Sequence, residues 1–121
     1  MSKILIIEDD PFLQGLEASK LTKDGYEILV ASSGDEAMAK INEAGINLIL
    51  LDLVLPNFDG FQVLEKIRAT DAIKALPVIV FSNLSEASDV TKAQKLGATD
   101  FMVKSNFTLD ELVERIKTII K

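Results

Sequence analysis

The chain contains no cysteine, which excludes disulfides, thiol nucleophiles and thiolate metal sites together. It contains no histidine either, so the commonest general base and the commonest transition-metal ligand are missing. Whatever chemistry it performs must run on carboxylates, lysines and hydroxyls. No apolar run approaches the roughly 20 residues of a membrane-spanning helix. Met1-Ser2-Lys3 runs directly into the first apolar segment, so no secretory leader is expected. The expected location is the cytoplasm, with no membrane association. A net charge of −6 supplies no basic face for neutralising a phosphate backbone, so this domain is not expected to bind nucleic acid. What is present is ordinary for a folded domain. The 121 residues are 48% hydrophobic and 26% charged, enough for a core without staples and for one domain spanning 1–121.

Five short apolar segments recur: residues 4–7, Glu27–Ala31, residues 48–51, residues 78–81 and Asp100–Val103. The first and third have no polar alternation, the pattern of strands buried on both faces in a parallel sheet. Between them lie stretches of helical periodicity. The first is marked by Phe12, Leu13, Leu16 and Leu21, the second by Ala37, Met38 and Ile41, and the third by Phe61, Val63, Leu64 and Ile67. Ala87, Val90, Ala93 and Leu96 mark a thin fourth, and Leu109, Leu112, Val113, Ile116, Ile119 and Ile120 a strong fifth. Asp10-Pro11 reads as an N-cap followed by an N1 proline, and Asp59 before Gly60 as the N-cap of the third helix. Ser33 to Glu36 and Thr108 to Glu111 fit capping boxes. Gly25, Gly45 and Gly97 stand where glycine follows a helix. Strand and helix alternating five times predict an α/β fold, a single doubly wound (βα)5 domain with a parallel five-stranded sheet. The expected strand order is 2-1-3-4-5, the flavodoxin-like one of the two common doubly wound orders.

The carboxyl ends of parallel strands share one edge, where open α/β sheets bind ligands. Strand 1 delivers Glu8 and Asp9 there, strand 3 Asp52, strand 4 Ser82 and strand 5 Lys104. Like charges about 4 Å apart repel by roughly 4 kcal/mol at an effective dielectric of 20. Such an acidic cluster therefore needs a cation, a proton or Lys104 beside it.

The segments ILIIEDD, LLDLVLPNFDG, VIVFS and FMVKS, in this order and on these strand ends, resemble the response-regulator receiver domain of two-component signalling over the whole chain. The resemblance implies a phosphorylation-dependent switch rather than a turnover enzyme, acting only on its own phosphorylation and dephosphorylation. Asp52 would accept a phosphoryl group, forming a 4-aspartylphosphate, from a histidine kinase or phosphotransfer protein. Carboxylate chemistry is compatible with that role, since an ionised carboxylate can attack phosphorus if the donor is positioned and its charge neutralised. Glu8, Asp9, Asp52 and the backbone carbonyl of Val54 would hold Mg2+ or Mn2+, hard cations that favour oxygen ligands. Lys104, Ser82 and the backbone N–H of Asn83 would contact the phosphoryl group, and Phe101 would reposition as Ser82 moves. Output would run through the helix 4, strand 5 and helix 5 face, to a downstream protein target, an output domain or a second copy in a homodimer. No output domain is recognised within the 121 residues.

Plainer roles stand beside these. Asp52 could be a strand-exit acid, Glu8 and Asp9 solvated loop acids, Asp10 an N-cap rather than a metal contact, Ser82 a turn hydroxyl, Lys104 a surface lysine and Phe101 a core aromatic. The chain also departs from the family pattern. Ser105 stands where a proline usually follows the lysine, and since a non-proline cis bond costs about 2.5–4 kcal/mol, a trans Lys104–Ser105 peptide is expected. Asn83 replaces a typically small residue. Val54 and Leu84, both apolar, occupy variable positions flanking the acceptor and are expected to hinder hydrolytic water. Rival readings are a receiver-like interaction module that is never phosphorylated and an aspartate-nucleophile phosphatase, which lacks its general acid because that position is Val54. Nucleotide binding has no Gly-rich phosphate motif to support it.

Overall fold

The computed structural model describes residues 2–120. In chain order it runs β1 (Lys3–Ile7), α1 (Pro11–Lys23), β2 (Glu27–Ala31), α2 (Gly34–Lys40), β3 (Ile46–Leu51), α3 (Gly60–Ala69), β4 (Val78–Ser82), α4 (Ala87–Lys95), β5 (Asp100–Val103) and α5 (Leu109–Ile119). A short 3-10 turn, Lys104–Asn106, separates β5 from α5. All strand pairs are parallel, in the order β2-β1-β3-β4-β5, as the sequence predicts.

Burial explains why residues 4–7, 48–51 and 78–81 read as unbroken apolar runs. Successive side chains of a strand point to opposite faces, and both faces are covered here. Leu5, Ile7, Ile49, Leu51, Val78 and Val80 pack with Ala37, Val63, Leu64, Ile67 and Ala93 from α2, α3 and α4. Ile4, Ile6, Leu48, Leu50, Ile79 and Phe81 pack on the other face with Leu21 of α1 and Leu112, Val113 and Ile116 of α5.

The helix ends follow their capping residues, with two exceptions. The Asp10 side chain accepts from the N–H groups of Phe12 and Leu13, ahead of Pro11. Thr108 and Glu111 form the expected capping box, and Asp59 forms a second one with Gln62. At α2 only half of the expected box is present. Ser33 accepts from the Glu36 N–H, but the Glu36 carboxylate accepts from Ser32 N at 3.3 Å instead. Gly45 also departs from its expected place, because α2 ends at Lys40 and Gly45 lies in the turn before β3. Gly97 sits directly after the α4 C-cap with φ of 98°, a conformation that favours glycine.

The largest departure is α1. Two of its four marker residues face solvent, Phe12 at 75% exposure and Leu16 at 42%, while Glu17 is turned inward at 2%.

α4 is the least anchored helix. Ala93 is its one fully buried residue, and the N-cap Glu86 makes no side-chain capping bond. Its C-terminal end is held from outside. Arg68 of α3 donates from Nε and a terminal nitrogen to Gly97 O, at 3.0 and 2.7 Å. The same guanidinium donates to Leu76 O at 2.7 Å and Lys74 O at 3.1 Å.

Candidate functional site

Register brings the acids together. Ile7 of β1 pairs with Leu51 of β3, so the next residues, Glu8 and Asp52, leave the sheet side by side, and Asp52 N donates to Ile7 O at 2.9 Å. The strand ends open into a cleft of about 290 Å³ lined by Glu8, Asp9, Asp10, Asp52, Val54, Asn83 and Lys104. Gly60 keeps the following loop tight, because a Cβ there would lie 2.4 Å from Leu53 Cα and 2.6 Å from Asp52 O.

Asp52 is buried at 5% exposure, and both its oxygens are engaged. Oδ1 accepts from Ser82 Oγ at 2.9 Å and from Val54 N at 3.1 Å, while Oδ2 accepts from Lys104 Nζ at 2.7 Å. Lys104 also donates to Glu8 Oε1 at 2.6 Å, and Glu8 Oε2 accepts from Asp10 N at 3.1 Å. One ammonium thus bridges two buried carboxylates. Burial tends to lower the Lys104 pKa, but its hydrogen bonds to Asp52 and Glu8 outweigh this and hold it above its ordinary value. At Glu8 burial dominates and raises the pKa, despite the opposing hydrogen bonds from Lys104 and the Asp10 amide.

Carboxylate oxygens of Glu8, Asp9 and Asp52 lie within 4.8 Å of one another. Three acids share one lysine there, leaving an excess of negative charge around hard oxygen donors. That donor set suits a hard divalent cation.

Most residues expected at the site converge on it. Glu8, Asp9, Asp52 and Lys104 do so directly, and exposed Val54 and Asn83 line the cleft. Asp10 caps α1 and also supplies the amide that binds Glu8. Ser82 is fully buried with its hydroxyl on Asp52, which is more than a turn hydroxyl does. Two do not reach the cleft: Phe101 and Leu84 are half-buried against the core on the α2–α4 face. Leu84 connects to the site only by donating its backbone N–H to Ser82 Oγ at 3.4 Å. Ser105 is exposed in the 3-10 turn and its peptide is trans, as expected; no cis bond occurs among the described residues. Asp59 caps α3 and stays outside the cleft.

The sequence reading missed Gln14. Its amide donates to Glu8 O at 2.9 Å, Ser32 Oγ at 3.1 Å and Ala31 O at 3.4 Å, tying the ends of β1 and β2 together beneath the acids. A glutamine on an amphipathic helix carries no pattern that announces such partners.

Comparison with known proteins agrees with this arrangement. The family model described as the response regulator receiver domain matches residues 4–117. "Sensory transduction protein RegX3" of Mycobacterium tuberculosis (strain ATCC 25618 / H37Rv) is 33% identical over 121 residues, covering 100% of this chain and 52% of that protein. "Probable transcriptional regulator ycf27" of Porphyridium aerugineum is 33% identical over 119 residues, covering 98% of this chain and 48% of the relative. The chain thus spans about half the length of the curated relatives it matches. Among solved structures, the non-phosphorylated HemR receiver domain from Leptospira biflexa superposes with a TM-score of 0.92 at 30% identity, covering 100% of this chain and 95% of that one. The BeF3-activated receiver domain of Klebsiella pneumoniae RstA gives 0.90 at 27% identity, covering 99% of both chains. No helix among the described residues is long and apolar enough to cross a membrane. With its 2-1-3-4-5 flavodoxin-like sheet and its acid cleft, the chain belongs to the response regulator receiver domain family of two-component systems.

Proposed function

We propose that Asp52 accepts a phosphoryl group from a phosphohistidine on a histidine kinase or phosphotransfer protein, and that the acyl phosphate switches a protein-binding face. The observation that carries this is the bridge from Lys104 Nζ to Asp52 and Glu8 at 2.7 and 2.6 Å, with Ser82 already on the same Asp52 carboxylate. A carboxylate oxygen of Asp52 attacks phosphorus as the bond to the donor's nitrogen breaks, the electron pair leaving with that nitrogen. Lys104 pairs with Asp52 beforehand and afterwards moves its charge to a phosphoryl oxygen. Ser82 Oγ and Asn83 N–H donate to the other oxygens. A magnesium or manganese ion held by Glu8, Asp9, Asp52 and the Val54 carbonyl would neutralise charge on the phosphoryl oxygens. Exposed Val54 at the cleft mouth excludes hydrolytic water from the acyl phosphate.

Output follows from what Ser82 leaves behind. Val80 pairs with Phe101 and Ser82 with Val103, so a shift of Ser82 toward the phosphoryl group is felt along β5. Neighbouring α4 is thinly anchored, as elements that rearrange tend to be. The switch therefore biases a two-state equilibrium of the α4, β5 and α5 face, which would engage a downstream target, an output domain or a second copy.

The test is intact-mass measurement after incubation with Mg2+ and acetyl phosphate. Wild type should gain one phosphoryl group and Asp52→Asn none. An unchanged wild-type mass would favour an interaction module that is never phosphorylated.

A further inference from the structure

Glu17 is a buried acid that the phosphoryl-transfer reading does not use. It lies on α1 one turn before the buried Leu21, on the side of the sheet covered by α1 and α5. It is 2% exposed, and neither carboxylate oxygen has a hydrogen-bond partner among the described residues. An ionised carboxylate without a donor is strongly disfavoured in such surroundings, whereas a protonated one is far cheaper to bury.

The charges acting on it come from the cleft. Glu8 and Asp10 approach from the β1–α1 junction, Asp52 from the end of β3 and Lys104 from the end of β5. The nearby lysines of α1 and α5 are engaged elsewhere: Lys20 pairs with Asp110, and Lys117 with Asp24 and Glu114. Burial first, then the charge of Glu8, pushes the Glu17 carboxyl up to about 8; Asp52 and Asp10 add to this and Lys104 opposes it.

We propose that Glu17 is a proton-binding site whose occupancy is set by the net charge of the acidic cleft, so that this receiver responds to pH as well as to its phosphodonor. Linkage is reciprocal. Adding negative charge to the cleft holds the proton on Glu17, and adding positive charge releases it. A proton on Glu17 in turn favours the more negative state of the cleft. The proposal rests on burial and charge, and it stands whether or not Asp52 is phosphorylated.

The measurement is the ¹³C chemical shift of the Glu17 side-chain carboxyl in the full chain, titrated between pH 4 and 10. The resonance is assigned by its loss in Glu17→Gln, or in Glu17→Leu where the glutamine variant does not fold. The wild-type midpoint should lie at least two pH units above the ordinary glutamate value of about 4.3. Removing one cleft charge should move it by about one unit, downward in Asp52→Asn and upward in Lys104→Gln. A wild-type midpoint below pH 6, or a midpoint that neither variant moves, overturns the proposal.

Discussion

Glu8 and Glu17 are the same residue type at the same exposure, 2% each, nine positions apart in sequence. Burial raises the pKa of both. Their partners separate them. Glu8 stands at a strand end, where Lys104 and the Asp10 amide reach it and two other carboxylates lie within 4.8 Å. Glu17 stands on α1 one turn before buried Leu21, and its oxygens accept from no donor among the described residues. Burial alone therefore does not mark a functional acid. What distinguishes the cleft is the convergence of donors and acids on one point, and what distinguishes Glu17 is the proton it must keep.

The comparison breaks most completely when Lys104 is removed. Lys104→Met should leave Glu8 and Asp52 as uncompensated buried acids, the condition Glu17 already endures. Breaking a buried ion pair by deleting one partner costs about 3–5 kcal/mol. Urea unfolding at pH 8 without divalent cations should show a loss of that order, shrinking toward pH 5 as Glu8, whose pKa burial raises, takes up a proton. An equal loss at both values would contradict the account of the cleft.

Glu17→Leu should act in the opposite direction. The folded chain keeps a proton on Glu17 up to pH about 8, while the unfolded chain releases it near the ordinary carboxylate value. Stability tied to this group is therefore complete at acid pH and declines as pH rises from about 4.5 to 8. The leucine variant should gain roughly 4–5 kcal/mol over wild type at pH 9, and much less at pH 4.5, in parallel urea titrations.

Glu8→Gln sharpens the contrast at smaller scale, since it keeps the side chain's shape and removes its charge. Divalent-ion affinity by isothermal calorimetry should fall about tenfold or more, near 1.4 kcal/mol, whereas Glu17→Gln should lower it less than threefold at pH 7. The mildest change is Val54→Asn at the cleft mouth. A polar residue there should admit an attacking water and shorten the acyl-phosphate lifetime severalfold, about 1 kcal/mol in barrier. A lifetime in wild type no longer than in Val54→Asn would remove the proposed role of Val54.

The fold was legible because residues 4–7 of β1 and 48–51 of β3 are covered on both faces and so contain no polar residue. The acids were legible for the same reason: a charge at the end of such a run has nowhere to sit but the sheet edge. Three features were hidden. α1 breaks its own apolar pattern, burying Glu17 while Phe12 and Leu16 face out, and periodicity cannot foresee a charged residue in the core. Gln14 and Arg68 are long polar side chains whose acceptors come from distant segments, Ala31 and Ser32 for one and Gly97 for the other. Leu84 was expected beside the acceptor because the family resemblance places it at a variable flanking position, but its partly buried side chain packs against the core on the α2–α4 face.

Arg68 has a consequence for motion. By gripping the Gly97 carbonyl it fixes the far end of α4, while the end at Glu86, just beyond the Ser82–Leu84 segment, has no side-chain cap. α4 is thus a lever with its pivot away from the cleft and its free tip beside it. A helix of nine residues is about 13 Å long, so a tilt of about 10° about the Gly97 end sweeps the Glu86 tip through about 2 Å, while the pivot scarcely moves. The amplitude available to a partner is therefore greatest next to the acidic cleft and fades toward the clasp.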